Sequence, residues 1–269
     1  MRIIKSILIL KEKRESGLEW LGDLIYVCPL LFIAGVIDAI AGGGGLIALP
    51  TYLMTGMPVH MAYGCGKLQC SMGSTMAALR FWKNGVLDGR FAALTAAAAM
   101  AASAVATQLI LYLDSEIVRK IVLVMLPAAA IMILIPKKKG QGNMIKQVVN
   151  GKNILLVLAS GLLLGTYDGM FGPGGGTVAI MIFSLLLHYD LRVASANSKV
   201  VIMASNYVAL VGYMMTGNII YQIAIPATIC NMLGNYVGAG LAIKNGEKLI
   251  RPLMIGIVIF LIIKIILGS

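Results

Sequence analysis

Two glycine runs, each preceded by an aspartate, are the parts of this sequence best suited to bind a small anion. Asp38 begins the segment DAIAGGGG (38–45), and Asp168 begins the segment DGMFGPGGG (168–176). Each glycine costs roughly 1 kcal/mol inside a helix and proline clashes with the preceding turn, so the helix is predicted to unwind at both runs. A helix that restarts after such a run presents unpaired N–H groups and the positive end of its dipole, which favour an anion. Close packing between membrane helices is the alternative use of these glycines.

The remaining candidate binding groups are polar side chains on the helices that follow the runs. Lys67 and Lys199 lie early in apolar stretches, and an ionisable residue within a membrane usually faces a cavity or a partner. Snorkelling to the lipid headgroups is the alternative for both lysines. Asp38 and Asp168 are predicted to orient the broken helices or to take part in ion coupling. The predicted substrate-binding set is Gly43, Gly44, Gly45, Lys67, Ser74, Gly174, Gly175, Gly176, Asn197, Ser198, Lys199 and Asn206.

The elements that must position these groups are membrane-spanning helices. Of the 269 residues, 59% are hydrophobic and only 12% are charged, whereas about 25% of a soluble domain is charged. Eight apolar stretches run approximately over residues 21–56, 59–82, 90–112, 117–136, 153–187, 193–215, 219–243 and 249–267. About 20 residues span the hydrocarbon core, and the two stretches well above that length contain the glycine runs. The sequence therefore predicts an all-α polytopic membrane protein with about eight transmembrane segments.

The order of features repeats along the chain. The glycine runs are followed by Lys67 in one half and Lys199 in the other, then by Ser74 and Asn206. Two four-segment repeats are predicted, with the first segment of each broken at its glycine run, and such duplication is typical of secondary transporters. The repeats are parallel if each half crosses the membrane four times, and they are inverted if each broken segment is re-entrant. The charge distribution favours parallel repeats. The predicted division is an N-terminal segment (1–20), a first repeat (21–136), a basic linker (137–152) and a second repeat (153–269).

The distribution of charged residues along the chain does not indicate a nucleic-acid partner. The formal net charge is +11, but the basic residues lie between apolar stretches rather than on one folded face. Cytoplasmic loops are rich in lysine and arginine, so the N-terminal segment and the linker are both expected in the cytoplasm, along with both termini. The sequence has no nucleotide-binding motif, no metal-ligand spacing among its four cysteines and no nucleophile set, so neither a cofactor nor enzymatic activity is expected.

At the segments DAIAGGGGLIALP (38–50), GTYDGMFGPGGGT (165–177) and ANSK (196–199), the sequence resembles the sulfite exporter TauE/SafE family of bacterial and archaeal membrane proteins. The resemblance covers nearly the whole chain from about residue 24. It implies a permease of the prokaryotic cytoplasmic membrane that is built from two related halves. It also implies small sulfur-containing anions as substrates. The sequence departs from the family at Lys67 and Gly176, where the family often has serine or threonine.

Taken together, these features predict a secondary transporter for a small anion such as sulfite or an organosulfonate, bound near the midplane between the repeats. A passive anion channel and a non-transporting membrane assembly component are the alternatives. The expected partners are the anionic substrate, the lipid bilayer and a coupling proton or sodium ion. Neither the coupling ion nor the oligomeric state follows from the sequence.

Overall fold

A computed structural model describes residues 19–114, 116–118, 151–246, 248 and 252, and no strand occurs among them. Eight helices of ten residues or more follow one another in these ranges. They are α1 (Glu19–Ala41), α2 (Gly45–Met54), α3 (Val59–Lys83), α4 (Gly89–Tyr112), α5 (Gly151–Met170), α6 (Gly175–Leu185), α7 (Leu191–Met215) and α8 (Tyr221–Asn245). Most of the predicted N-terminal segment (1–20), of the apolar stretches 117–136 and 249–267, and of the linker lies outside the described residues.

Four of these helices are long and apolar enough to cross a membrane. They contain the spans Gly22–Ala41, Gly89–Tyr112, Asn153–Met170 and Leu191–Met215. Helices α3 and α8 also have 25 residues each, but both are more polar because they contribute to a buried polar layer. The described part is therefore an all-helical membrane protein.

Both glycine runs break the helix at the place the sequence predicted. Helix α1 ends at Ala41 and α2 begins at Gly45, while α5 ends at Met170 and α6 begins at Gly175. Each new helix starts at one of the last two glycines of its run. Gly42, Gly172 and Gly174 all have positive φ, between 76° and 80°, a conformation that costs other residues roughly 1–2 kcal/mol.

Each short helix turns back along the helix before it. Tyr52 near the end of α2 packs in one apolar cluster with Val27, which lies in the first half of α1. Phe183 in α6 stacks edge-to-face on Phe91 at the start of α4, with ring centroids 5.0 Å apart. Since α5 and α4 run parallel, with Gly161 against Thr95 and Gly165 against Ala99, α6 returns toward the end at which α5 began.

The two halves of the bundle run in opposite directions. Tyr63 near the start of α3 packs with Tyr213 near the end of α7, and Phe81 near the end of α3 packs with Ala194 near the start of α7. Helices α3 and α7 are therefore antiparallel. Helices α1 and α8 run parallel to α3, whereas α4 and α5 run parallel to α7.

As a result, α1 and α5 begin at opposite ends of the bundle. The charge distribution had suggested that the segments before α1 and before α5 share one side of the membrane. The helix directions do not support that placement. Hydrophobic periodicity carries no information on the direction in which a helix crosses, and the re-entrant alternative left open by the sequence is the one that fits these directions.

Helix contacts cross between the two halves. The first helix of each half packs along the fourth helix of the other half, so that α1 lies on α8 and α5 lies on α4. Helices α3 and α7 pack on each other at the centre. Two apolar cores, one around Tyr52 and one around Phe183, lie on either side of a buried polar layer that includes Lys67 and Lys199.

Candidate anion-binding site

The two glycine breaks touch each other at the centre of the bundle. A β-carbon added to Gly42 would lie 2.2 Å from the backbone carbonyl carbon of Gly176, and one added to Gly45 would lie 2.9 Å from the Cα atom of Pro173. The hydroxyl of Thr177 donates to the carbonyl of Ala41 at 2.8 Å across the same contact. The glycines therefore serve close packing, and this contact sets the positions of the two helix starts.

A cavity of about 50 Å³ lies beside this contact. A buried water molecule needs a cavity volume on the order of 10–15 Å³, so this cavity has room for a group of about four water-sized atoms. Both broken segments, α3 and α7 contribute to its wall. Six of the residues predicted from the sequence line it: Asp38, Gly45, Lys67, Asp168, Gly176 and Asn206.

Two backbone N–H groups at this cavity have no acceptor within the described part of the chain. They belong to Gly45, the first residue of α2, and to Gly176, the second residue of α6. Neither amide can reach an intrahelical carbonyl, because the first four N–H groups of any helix lack one. Two helix N-termini with unpaired donors thus lie at one cavity, and the positive ends of both helix dipoles add positive potential there.

Lys67 brings a charged side chain to the same cavity, where it is already paired. Its ammonium group donates to the backbone carbonyl of Asp168 at 2.5 Å, and it lies 3.6 Å from the Oδ2 atom of that residue. The same Oδ2 atom accepts hydrogen bonds from the Ser205 hydroxyl at 2.7 Å and from the Asn206 amide at 2.9 Å. The lysine therefore does not carry an uncompensated charge.

Lys199 forms a second ion pair, with Asp38. Its Nζ atom lies 2.9 Å from Oδ2 of Asp38, and the lysine side chain is fully buried. The other carboxylate oxygen of Asp38 accepts a hydrogen bond from the N–H of Gly44 at 3.3 Å, which caps the start of α2. Each pair joins an aspartate before one glycine run to a lysine from the other half. Lys199 does not line the cavity.

The other residues predicted to bind substrate do not line the cavity. Asn197 and Ser198 are fully buried, but Asn197 accepts the backbone N–H of Asp88 and Ser198 donates to the carbonyl of Ser195. Ser74 is buried on α3, where its hydroxyl lies 3.9 Å from the sulfur of Cys70. The remaining four are the glycines Gly43, Gly44, Gly174 and Gly175, which shape the two breaks without lining the cavity.

Part of the wall is apolar and was not identified from the sequence. Leu49, Tyr63, Phe171 and Ile202 line the cavity together with Pro173. Phe171 and Pro173 lie inside the second glycine motif, so their position in the sequence was a usable signal. Nothing in the periodicity of α2, α3 or α7 distinguishes the other three from residues of the apolar cores. No cluster of three or more metal-binding side chains occurs among the residues that the structure describes.

The chain is similar to known membrane transporter proteins. A family model described as "Sulfite exporter TauE/SafE" matches residues 27–265. A probable membrane transporter protein of Haemophilus influenzae is 34% identical over 245 residues, which are 90% of this chain and 92% of the relative. The probable membrane transporter protein YfcA of Escherichia coli is 28% identical over 246 residues, 88% of this chain and 90% of the relative. No solved structure matches the chain.

Proposed function

Since the chain belongs to the sulfite exporter TauE/SafE family of membrane transporters, we propose that it is a secondary transporter for a small anion. Sulfite and short organosulfonates are the first candidates, because the family description names sulfite. The proposed binding groups are the N–H groups of Gly45 and Gly176, together with the ammonium group of Lys67. The relatives are named as transporters, which points to transport rather than catalysis.

One observation carries the proposal: Gly45 and Gly176, whose N–H groups have no acceptor in the described part of the chain, line one cavity together with Lys67. Donors of this kind recognise oxyanions, because each oxygen of a sulfite or sulfonate group accepts several hydrogen bonds. The apolar wall formed by Tyr63, Phe171 and Ile202 suits the short carbon chain of an organosulfonate. The anion requires Lys67 to turn from the Asp168 carbonyl toward the cavity.

The directions of the helices support an inverted-repeat transporter. Corresponding helices of the two halves run antiparallel, and each broken segment turns back toward the end at which it began. In such transporters the site lies at the repeat interface, and the two halves move relative to each other around it. The cavity follows that pattern, since both halves contribute to its wall.

The two ends of the bundle differ in charge, and this sets the proposed orientation. The basic end, where α3 and α8 end and α4 and α7 begin, carries Arg80, Lys83, Arg90, Arg192 and Lys244, more than offsetting Asp88 and Asp190. The acidic end, where α1 begins and α4 ends, carries Asp23, Asp114 and Glu116, with no lysine or arginine among the residues described there. The positive-inside rule then places the basic end in the cytoplasm. This reverses the expected cytoplasmic position of the segment that precedes α1.

Cysteine labelling tests the orientation. In a variant whose four native cysteines are replaced by serine, Asp114→Cys is expected to react with a membrane-impermeant maleimide in intact cells. Lys83→Cys, equally exposed but at the basic end, is expected to react only after the cells are permeabilised. The reverse pattern would place the acidic end in the cytoplasm.

Counterflow in proteoliposomes tests the transport proposal. Vesicles are preloaded with sulfite, methanesulfonate or acetate, and uptake of the same labelled anion from outside is measured. For at least one of the two sulfur oxyanions, the internal anion is expected to accelerate this uptake. Lys67→Met is expected to reduce this exchange at least tenfold, because a hydrogen bond to a charged group contributes about 1.5–3 kcal/mol. Lys83→Met removes an exposed lysine from the same helix and is expected to leave exchange unchanged.

The failures of this experiment are informative. Flux without acceleration by internal anion would identify a passive channel and overturn the carrier proposal. Folded protein that moves none of the three anions would overturn the anion assignment as a whole. If Lys67→Met and Lys83→Met lowered anion exchange equally, the proposed binding site at Lys67 would be wrong.

A further inference from the structure

The charges of the buried polar layer add up to zero before any substrate is present. Lys67 and Lys199 are balanced by Asp168 and Asp38, and all four side chains are at least nine-tenths buried. A monovalent anion in the cavity would leave one uncompensated negative charge in a medium of low polarity. An unpaired buried charge costs several kcal/mol, so binding is favoured if a positive charge arrives with the anion.

Asp168 is placed to accept that charge as a proton. It lines the cavity, and its Oδ2 atom already receives hydrogen bonds from Ser205 and Asn206. These two neutral donors from α7 remain in place if Lys67 turns toward an anion. Asp38 is the less suitable candidate, because its lysine partner is fully buried and does not reach the cavity.

The groups around Asp168 allow this exchange of partners. The titratable groups that face it are Lys67 and Cys70 from α3 and Tyr167 from α5 itself, whereas α6 contributes only the backbone near Gly175. Helix α7 contributes Ser205 and Asn206, and its Lys199 is held by Asp38. Among the residues that the structure describes, Lys67 is therefore the cation that both Asp168 and an anion in the cavity can use.

We propose that Asp168 is the proton-binding site of the transport cycle, so that one proton moves with each monovalent anion. This inference rests on the proposed anion transport. As the anion binds, the Lys67 ammonium group moves from Asp168 to the anion, and the Asp168 carboxylate takes a proton from a hydronium ion of the adjoining solvent. One O–H bond of the hydronium ion breaks and one forms at Asp168, so the total charge of the layer with its anion stays at zero. Release of the anion on the other side returns the proton to solvent.

Proton movement into vesicles tests this coupling directly. Proteoliposomes with the pH-sensitive dye pyranine inside, and with their membrane potential clamped by potassium and valinomycin, receive an inward gradient of methanesulfonate. This anion stays ionised near neutral pH, whereas sulfite titrates there and would carry protons by itself. The wild type is expected to acidify the interior by one proton per anion taken up. A sodium gradient is expected to have no effect on uptake.

Two variants separate proton coupling from anion binding. Asp168→Asn keeps the size and one acceptor of the side chain, and the number of protons taken up per methanesulfonate is expected to fall from one to zero. Asp114→Asn changes an exposed carboxylate at the acidic end and is expected to behave as wild type. If Asp168→Asn does not fold, the wild-type ratio of protons to methanesulfonate taken up remains the test, and a ratio of zero overturns the inference.

The outcomes distinguish the two proposals. Net uptake of methanesulfonate by the wild type without acidification would overturn the proton inference and leave anion transport standing. Acidification that persists in folded Asp168→Asn would assign the proton to another group. Absence of methanesulfonate exchange, in protein that exchanges none of the three anions, would overturn the proposed function itself.

Discussion

Gly42→Ala is expected to destabilise the protein by about 2–5 kcal/mol. Gly42 has a φ of 76°, which costs a residue with a side chain roughly 1–2 kcal/mol. Its new methyl group would also lie 2.2 Å from the Gly176 carbonyl carbon, and such overpacking costs typically about 1–3 kcal/mol. Both contributions arise at the contact between the two breaks, where neither backbone can move without displacing a helix start.

Thermal unfolding in detergent measures this effect. A fluorogenic thiol dye reports the exposure of Cys65, which is fully buried in the folded protein. Gly89→Ala is the matched control, because a β-carbon there meets nothing within 4 Å and the residue has no positive φ. If Gly42→Ala melted at the same temperature as Gly89→Ala, the two breaks would not be in contact.

Lys199→Met is expected to destabilise the protein by about 3–5 kcal/mol. Removing one member of a buried ion pair leaves the other charge without a partner, and losses of this size follow. The lysine is fully buried, and its Nζ atom lies 2.9 Å from the Asp38 carboxylate. Helix α7 would lose its direct ionic contact with α1, and the Asp38 carboxylate would lose its buried cationic partner.

The double variant Asp38→Asn/Lys199→Met shows whether the loss of stability in Lys199→Met comes from the broken ion pair or from lost packing of the lysine side chain. Asparagine keeps an oxygen that can accept the N–H of Gly44, and no unpaired charge remains, so most of the lost stability is expected to return. Lys244→Met, at an exposed position of the basic end, serves as the control for removing a lysine. A double variant that is no more stable than Lys199→Met alone would show that the pair is not the source of the loss.

The helices and their interruptions could be predicted from the sequence because their signals are local. Apolar stretches of span length define helices, and consecutive glycines define where they end. Six of the predicted site residues line one cavity, since the same glycine motifs that break the helices also bring Asp38 and Asp168 to the interface. These parts of the prediction depend on residues a few positions apart.

The helix directions and the exact wall of the cavity could not be predicted. The direction in which each helix crosses the membrane was inferred from basic residues outside the helices. That inference placed the segments before α1 and α5 on the same side of the membrane. Which lysine pairs with which aspartate depends on contacts over more than 100 residues, as between Lys67 and Asp168. Tyr63 and Ile202 differ from core residues only in what lies opposite them, and a single sequence does not contain that information.

The contact of α1 with α8 has a consequence for how the chain is made. The side chain of Asn231 donates to the carbonyl of Leu31 across 200 residues of sequence, and Gly35 and Gly234 allow the two backbones to approach closely along the same seam. At synthesis rates of about 5–20 residues per second, α1 therefore waits roughly 10–40 s in the membrane for its packing partner to emerge from the ribosome. During that interval the Asp38 carboxylate has no Lys199, so the nascent first half depends on lipid, water or an insertion factor to shelter it.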